Sequence, residues 1–457
     1  MTSIRSSIVL LLIATLLSTG LIAPHRQVAA ELLIPDTLAG NQLSWALDQV
    51  NTAAYGTTDQ VIAEHFSDDY LAVVNPAQLI GYFRDYINPA GPMTVIRFEG
   101  GVTELRSNAI LQGPYGYWRV ELGVTPTEPH KIDAMWFEPV YVTTTPPTAP
   151  RAWSDLKRDL AAIAPSVSVT IAELDNGECL PIARVDPELV LPVASSFKLY
   201  VLGELARQVS EQQAAWLELL PIRTHYISQP NGEMRNLPVG SKYTLAHFAE
   251  QMISMSDNTA TDHLIGRLGR EQVESAFVAM GQADPTVNLP LMLTREWFAL
   301  RMRFTDDQIQ EYLDLDDAER LAFLQDVANP IADTILETEL WPGSRWASEV
   351  EWFASSGDLC RALAFLQNQG TQPGMNPILN ALSLKPEIVF DPQVWSYVGH
   401  KGGYETGVMS ENFLLQRASD GRWFSISAVI SDPNWEVNGN GLRDLIVQAT
   451  QILAFQE

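Results

Sequence analysis

The chain has 457 residues, 46% of them hydrophobic, and a formal net charge of −26 at neutral pH. This length favours two or three domains with packed cores. The acidity argues against nucleic acid or an anionic membrane surface as a partner, because both would repel the protein, and it indicates a soluble protein with an acidic exterior.

The N-terminus has the pattern of a secretory signal peptide. Arg5 precedes an apolar run over residues 8–22, and small residues stand at Ala29 and Ala30. We therefore predict a signal peptide at 1–30, cleaved after Ala30, and a secreted, periplasmic or otherwise extracytoplasmic protein. An uncleaved anchor is the alternative, but the run is shorter than the ~20 residues of a spanning helix, so no transmembrane anchor is expected.

Residues 31–142 form the first predicted domain. Apolar residues at helical spacing predict three helices, at 41–55, 61–66 and 76–87. Five β-rich runs follow, at 94–99, 101–105, 110–111, 115–122 and 132–141. Helices followed by a strand meander predict a small α+β domain.

This order of elements resembles the NTF2-like, or steroid-isomerase-like, cone fold. The resemblance implies a curved sheet that wraps helices around a pocket, which His65, Asp69 and Glu138 could line. Surface or capping roles are the preferred interpretation of these three residues, and no chemistry is assigned to them.

A spacer is predicted at 143–152, where three prolines stand among threonines. The second domain, 153–457, begins with a helix at 153–163 and a hairpin whose strands are 167–174 and 180–185. Helix-rich sequence continues to about residue 370. Three strands and a helix close the chain, at 394–400, 407–417, 423–431 and 441–455. This order predicts one antiparallel sheet that combines sequence-distant strands, with the helices inserted between them.

The chain has two cysteines, Cys179 and Cys360. A pair so far apart in sequence is weak support for a bridge even in an exported protein, so we expect two buried thiols. Two cysteines are too few for a cysteine-based metal site, and the histidines lack the spacing of a zinc enzyme. No metal or other cofactor is expected.

Ser195 and Lys198 lie three residues apart at the start of an apolar helical run. This spacing places both functional groups on one helix face, as a nucleophile beside its own base. Ser196 is the other candidate nucleophile, but residues two apart do not face each other. The alternative is that the serines only begin a core helix.

Two further polar segments follow. Ser256, Asp257 and Asn258 interrupt an apolar helix end, where a helix cap is the alternative explanation. Lys401 precedes two glycines, Gly402 and Gly403, beside a strand. Glycines let a substrate approach a strand edge closely, although a plain hairpin turn would also explain them.

Ser-x-x-Lys, Ser-Asp-Asn and Lys-Gly-Gly, in this order, resemble the active-site motifs of class A β-lactamases and penicillin-binding proteins. The resemblance covers residues 153–457 and implies a five-stranded antiparallel sheet with a helical subdomain. It implies that Ser195 is the acylated nucleophile and Lys198 its base. Ser256 would relay a proton to the leaving group, and Asn258 would bind the substrate amide and orient Lys198.

The same resemblance assigns the substrate side of the site. Lys401 would supply positive potential for an anionic substrate, and Gly402 and Gly403 would lie along the bound substrate. The backbone N–H groups of Ser195 and Tyr404 would form the oxyanion hole.

The sequence departs from this family at two places. The third motif normally has Thr or Ser after its lysine, and that hydroxyl helps to bind a β-lactam carboxylate, whereas Gly402 has none. The glutamate of a Glu-x-x-Leu-Asn Ω-loop, which activates the deacylating water, has no counterpart in that setting. Glu296 is near the right interval, but we expect a helix-start carboxylate. Residues 305–326 predict two acidic amphipathic helices, a solvated insertion rather than a lid.

Two classes of function follow. The first is a serine hydrolase that acts on an amide, an ester or a β-lactam-like small molecule, with slow deacylation. The second is a non-catalytic protein that binds a β-lactam or a cell-wall fragment. The retained serines and lysines favour the hydrolase, because a binding protein needs no paired bases.

Overall fold

The computed structural model describes residues 32–99, 103–114, 116–143, 151–228, 232–335 and 343–456. The chain divides into two compact units, Met1–Val142 and Thr143–Glu457. The predicted signal peptide and most of the predicted spacer, 144–150, lie outside the described residues. None of the described helices is both long enough and apolar enough to cross a membrane.

The first unit has helices followed by an antiparallel meander. Its α-helices are α1 (Leu38–Asn51), α2 (Asp59–His65), α3 (Asp68–Val73) and α4 (Pro76–Gly81), and a π-helical turn (Tyr82–Ile87) and a 3₁₀ turn (Asn88–Ala90) follow α4. The strands are β1 (Thr94–Glu99), β2 (Arg106–Gly113), β3 (Gly116–Val124) and β4 (Ile132–Thr143). Consecutive strands pair antiparallel, as the order of elements predicts.

Side-chain caps and one apolar core hold these elements together. Thr37, Thr58, Ser67 and Asn75 each accept a backbone N–H at a helix start, which satisfies an otherwise unpaired donor. The apolar stripe of α1 packs on the inner face of the sheet. The predicted run at 110–111 is part of a longer strand, β2, and 103–105 lie in the turn before it, where Thr103 accepts the N–H of Arg106. Residues 101 and 102 of the other predicted run lie outside the described residues.

The second unit begins with α5 (Trp153–Ala161), β5 (Ser166–Asp175), β6 (Glu178–Val185), β7 (Leu191–Pro192), a 3₁₀ turn (Ala194–Phe197) and α6 (Lys198–Ser210). Its central part contains β8 (Leu219–Pro221), β9 (Lys242–Thr244), α7 (Leu245–Ser254), α8 (Asn258–Leu268), α9 (Arg270–Ala279), α10 (Thr294–Arg303), α11 (Asp306–Leu313), α12 (Asp317–Phe323) and α13 (Asn329–Ala332), with 3₁₀ turns at Thr224–Tyr226, Met234–Asn236 and Pro285–Asn288 and a π-helical turn at Leu324–Ala328. The last part contains β10 (Phe353–Ala354), α14 (Ser356–Gly370), α15 (Pro377–Ser383), β11 (Ile388–Phe390), β12 (Trp395–Glu405), β13 (Val408–Arg417), β14 (Trp423–Ser431) and α16 (Gly439–Phe455).

A five-stranded antiparallel sheet in the order β12-β13-β14-β5-β6 organises this unit. It confirms the prediction that the early hairpin and the late strands share one sheet. Strand β12, which carries Lys401, Gly402 and Gly403, lies at one edge. The free edge of β12 can therefore be approached by a segment from outside the sheet.

Helix α6 is the centre of the second unit's core. Almost every residue from Lys198 to Ala206 is buried, which is the pattern of a helix surrounded by others. Gly203 permits close packing, since a Cβ there would lie 2.1 Å from Met280 Sδ. This packing fixes the first turn of α6, where Lys198 lies.

The acidic segment 305–326 forms two helices, α11 and α12, which confirms the predicted helical pair. Ile309 and Tyr312 face the core, whereas Asp306 and Asp307 are exposed. The segment is thus an amphipathic addition to the helical part.

Cys179 and Cys360 form a disulfide across 181 residues of sequence, with their Cα atoms 6.0 Å apart. The expectation of two buried thiols is wrong. The two cysteines meet because α14, which carries Cys360, packs on β6, which carries Cys179. Sequence separation alone does not show this contact.

We expect this disulfide to contribute about 2–4 kcal/mol to the free energy of unfolding, because it closes a long loop. Urea unfolding of the oxidised protein should give a higher midpoint than that of the Cys179→Ser, Cys360→Ser double variant. Adding a reductant should lower the parent's midpoint to that of the variant. A reductant-insensitive midpoint, equal in both proteins, would contradict the bridge.

Candidate active site

Ser195 lies in the 3₁₀ turn that leads into α6, whose first residue is Lys198. Side chains three residues apart eclipse one another in a 3₁₀ turn, so both point to one side. Ser195 is partly exposed, whereas the Lys198 side chain is completely buried. Ala194 has φ +45°, a left-handed conformation that is costly for alanine and common at functional sites.

Ser196 is engaged elsewhere. It is fully buried, and its Oγ accepts a hydrogen bond of 2.9 Å from Asn412 Nδ2 on β13. The same amide donates to the backbone oxygen of Lys401 at 3.1 Å. Ser195 is therefore the more accessible of the two serines, and Asn412 ties the serine turn to β12.

Lys198 Nζ is held by the Ser-Asp-Asn segment. It donates to Ser256 O at 2.6 Å and to Asn258 Oδ1 at 2.7 Å, and it lies 3.2 Å from Ser256 Oγ. When the amine is neutral, its two N–H groups can donate to these two carbonyl oxygens. Its lone pair then remains available to take a proton.

Burial lowers the pKa of Lys198 well below its ordinary value, and the positive charge of Lys401 lowers it further. Asp257 and Asp262 act in the opposite direction but are outweighed. An amine in this state gives up its proton more readily than an ordinary lysine.

Ser256 Oγ lies between the two lysines, 3.2 Å from Lys198 Nζ and 3.1 Å from Lys401 Nζ. Its backbone has φ +53°, again a left-handed conformation. Lys401 Nζ also donates to Gly402 O at 2.7 Å. Ser256 can therefore exchange protons with either amine.

Asp257 is a helix cap, as the alternative interpretation of this segment proposed. Its carboxylate accepts the N–H of Ala260 at 2.7 Å and that of Met234 at 2.9 Å. Capping orients α8 so that its first residue, Asn258, reaches Lys198. The triplet thus combines a structural residue with two that face the lysines.

Gly403 is packed against the serine turn. A Cβ at this position would lie 2.2 Å from Val193 O and 2.9 Å from Ser195 N, distances that no side chain tolerates. Glycine therefore lets the edge strand approach the backbone N–H of Ser195. Tyr404, the next residue, belongs to the same stretch of β12.

Glu296 is held by its own helix start and by an arginine. Its carboxylate caps α10 by accepting the N–H of Leu293 at 2.8 Å and forms an ion pair of 2.7 Å with Arg270. Its side chain is fully buried, and the hydrogen bond to Leu293 confirms the expected helix-start carboxylate. In the first unit, His65 stacks on Trp45 with 3.8 Å between ring centroids, and Glu138 pairs with Arg119.

Asn412 contacts the serine turn but belongs to none of the three sequence motifs. The polar residues Ser410 and Asn412 alternate with Met409, Glu411 and Phe413 along β13, which places both on one face. That alternation is the signal that could have indicated a polar inner face opposite the serine turn.

Residues 151–332 match the family model described as the β-lactamase enzyme family, and residues 34–125 match one described as the ORF 12 gene product N-terminal. The first match contains Ser195, Lys198, Ser256 and Asn258, whereas the Lys401 segment lies beyond it. The resemblance of the second unit to the β-lactamase and penicillin-binding-protein superfamily, predicted from the motifs, is confirmed. No curated protein matches the chain in sequence.

Several solved structures are similar at low identity. PBP-A is 17% identical, with 68% of this chain and 98% of that chain covered and a TM-score of 0.43. The β-lactamase from Sphaerobacter thermophilus DSM 20745 is 18% identical, covering 66% and 96%, with a TM-score of 0.46. That from Chitinophaga pinensis DSM 2588 is 17% identical, covering 66% and 98%, with a TM-score of 0.43.

Burial lowers the pKa of Lys401 to about 7, although Glu411 and Glu387 act to raise it. We expect the Nζ signal of isotopically labelled Lys401 to titrate with a midpoint near 7 in NMR. The unfolded lysine titrates at about 10.4, so the unfolded chain binds more protons between these values. The free energy of unfolding should therefore rise with pH from about 7 to about 10.

A Lys401→Met variant should show a smaller rise in unfolding free energy over this window. The matched control, Lys242→Met, removes an exposed lysine and should keep the parent's slope. A Lys401 midpoint near 10, or an unchanged slope in Lys401→Met, would contradict the buried, weakly charged state.

Proposed function

We propose that the second unit is an active-site serine hydrolase that forms an acyl-enzyme at Ser195 with a small-molecule amide, ester or β-lactam. The observation that carries the proposal is the buried Lys198, which is held by two carbonyl oxygens and follows the partly exposed Ser195 by three residues. Burying an amine is costly, and no packing requirement explains two lysines joined through one hydroxyl. A base whose pKa is lowered by burial does explain them.

Acylation would proceed by proton transfer from Ser195 Oγ to Lys198 Nζ as the oxygen attacks the carbonyl carbon. The carbonyl oxygen becomes an oxyanion, which the backbone N–H groups of Ser195 and Tyr404 would stabilise. The proton on Lys198 would pass through Ser256 Oγ to the leaving nitrogen or oxygen as its bond to carbon breaks. Asn258 would keep Lys198 in place and bind the substrate amide.

Deacylation requires a water and a base on the acyl ester. Glu296 cannot serve, because Arg270 and the helix cap occupy its buried carboxylate. General-base assistance is worth about 10²–10⁴ in rate. We infer that hydrolysis of the acyl-enzyme is slow, so that the same chemistry would also serve a protein that captures β-lactams.

We also propose that residues 31–142 form an NTF2-like cone, supported by their helices-then-meander order and apolar interior. The predicted spacer at 143–152 would then separate it from the hydrolase at 153–457. We further propose that the protein is exported and cleaved after Ala30, on the N-terminal sequence pattern.

We expect a fluorophosphonate, a penicillin and a cephalosporin to add covalently to the parent, as measured by intact mass, and not to Ser195→Ala. Ser196→Ala and the exposed-serine control Ser396→Ala should still be labelled. The β-lactam adducts should persist for minutes or longer, because Arg270 and the helix cap engage the Glu296 carboxylate. The intact mass of the exported protein, measured without a probe, should correspond to cleavage after Ala30.

Absence of an adduct with every probe, in folded protein, would overturn the hydrolase and favour non-catalytic binding. Labelling of Ser195→Ala would place the nucleophile elsewhere. Rapid release of a β-lactam would contradict the inferred slow deacylation and leave the hydrolase proposal intact. An exported protein that retains residues 1–30 would contradict cleavage.

A further inference from the structure

Two buried carboxyl groups lie beside one buried arginine. Arg301 on α10 has no exposed surface, and Glu351 and Glu405 are 2% and 5% exposed. Arg301 donates to both carboxylate oxygens of Glu405, from Nη2 at 3.0 Å and from Nη1 at 3.4 Å. Its Nη1 lies 4.0 Å from Glu351 Oε2. The arginine therefore pairs closely with Glu405 and only distantly with Glu351.

Glu351 has the contacts of a carboxyl group that keeps its proton. Its Oε1 accepts the N–H of Trp352 at 2.9 Å, whereas no donor among the described residues reaches its buried Oε2. Burial, then the charge of Glu405 and a hydrogen bond to it, raise the pKa of Glu351 well above its ordinary value, and Arg301 opposes them less strongly. A hydrogen bond between two carboxyl groups requires a proton on one of them, so the pair holds a proton between its members.

One member of the pair is tied to the serine turn. The backbone oxygen of Trp352, the residue after Glu351, accepts the N–H of Val193 at 2.9 Å. The Trp352 ring stacks on that of Phe197 with 4.0 Å between centroids. Val193 and Phe197 lie two residues before and two residues after Ser195. Trp352 therefore contacts the turn on both sides of the proposed nucleophile.

The other member is tied to the edge strand. Glu405 follows Tyr404 on β12, and Gly403 of the same strand packs against the backbone of the serine turn. The N–H groups proposed for the oxyanion hole, those of Ser195 and Tyr404, thus belong to the two segments that the carboxyl pair joins. An oxyanion hole works only when both donors aim at one point. The contact between Glu351 and Glu405 helps to set their spacing.

We propose that Glu351 is a positioning residue for acylation: in its protonated form it donates to Glu405 and holds the serine turn and β12 at the spacing that the oxyanion hole requires. The inference rests on the proposed function. A buried carboxyl group that must keep its proton reduces stability above its ordinary pKa, and groups of this kind cluster at functional sites. The charged groups that act on Glu351 are Glu405 from β12 and Arg301 from α10.

The first test compares Glu351→Gln with Glu351→Leu, which remove the same charge. The glutamine oxygen can accept the N–H of Trp352 and its amide can donate to Glu405, whereas leucine can do neither. The second-order rate constant for labelling of Ser195 by a fluorophosphonate is measured by intact mass. Glu351→Gln should keep at least about half of the parent's rate constant, and Glu351→Leu should lose about tenfold or more, since one oxyanion donor is worth about 10²–10³. Glu349→Leu, at an exposed position of the same segment, should match the parent.

The second test follows the proton by urea unfolding. The stability that protonated Glu351 provides is fully present below its unfolded pKa of about 4.3 and is lost as the pH rises through its raised folded pKa. Between about pH 5 and pH 6 the folding constant of the parent should therefore fall relative to that of Glu351→Gln, by up to about tenfold. Glu349→Gln should not diverge from the parent. This comparison needs only the glutamine variants, so it decides the matter even where Glu351→Leu fails to fold.

Equal rate constants in folded Glu351→Gln and Glu351→Leu would overturn the positioning role and leave the hydrolase proposal intact. A gap in stability between the parent and Glu351→Gln that does not change with pH would overturn the shared proton, and the inference with it. Absence of labelling in the folded parent would overturn the hydrolase proposal, and this inference would fall with it.

Discussion

Burial of the Lys198 amine is the constraint on which the site depends. A charged ammonium out of water is costly, and the side chain has no exposed surface. The protein places carbonyl oxygens of Ser256 and Asn258 around it rather than a carboxylate partner. The carbonyl oxygens accept the N–H groups but stabilise the charged ammonium less than a carboxylate would, so the amine can act as a base. Ser256, in its left-handed conformation, then connects it to Lys401.

The fold meets this constraint by bringing three distant segments to one place. Helix α6 is surrounded by the core and fixes Lys198, whereas the cap at Asp257 fixes the start of α8. The edge strand β12 closes the arrangement, because Gly403 allows it to contact the turn before α6. Asn412 joins the serine turn and β12 from the neighbouring strand. Each contact is local, but together they determine where Ser195 lies relative to its base.

Much of this arrangement could be predicted from the sequence, since residue types at short spacing report local chemistry. The Ser195–Lys198 spacing and the Ser256–Asn258 segment belong to this class, whereas the mixed order of the sheet was predicted from the order of strands and helices along the chain. Contacts across the sheet were not predictable in the same way. Two buried thiols were expected instead of the Cys179–Cys360 bridge, because sequence separation does not show which elements are adjacent in the fold. Glu351 and Glu405 were passed over because only the fold brings both carboxyl groups to Arg301.

The pH dependence of Ser195 acylation by a fluorophosphonate tests the neutral Lys198 most directly. The reagent carries no ionisable group near neutral pH, so the profile reports on the protein. The second-order rate constant should reach its plateau well below pH 10.4, because burial and the charge of Lys401 lower the pKa of Lys198. A rate constant that climbs until about pH 10.4, where an ordinary lysine loses its proton, would contradict the account.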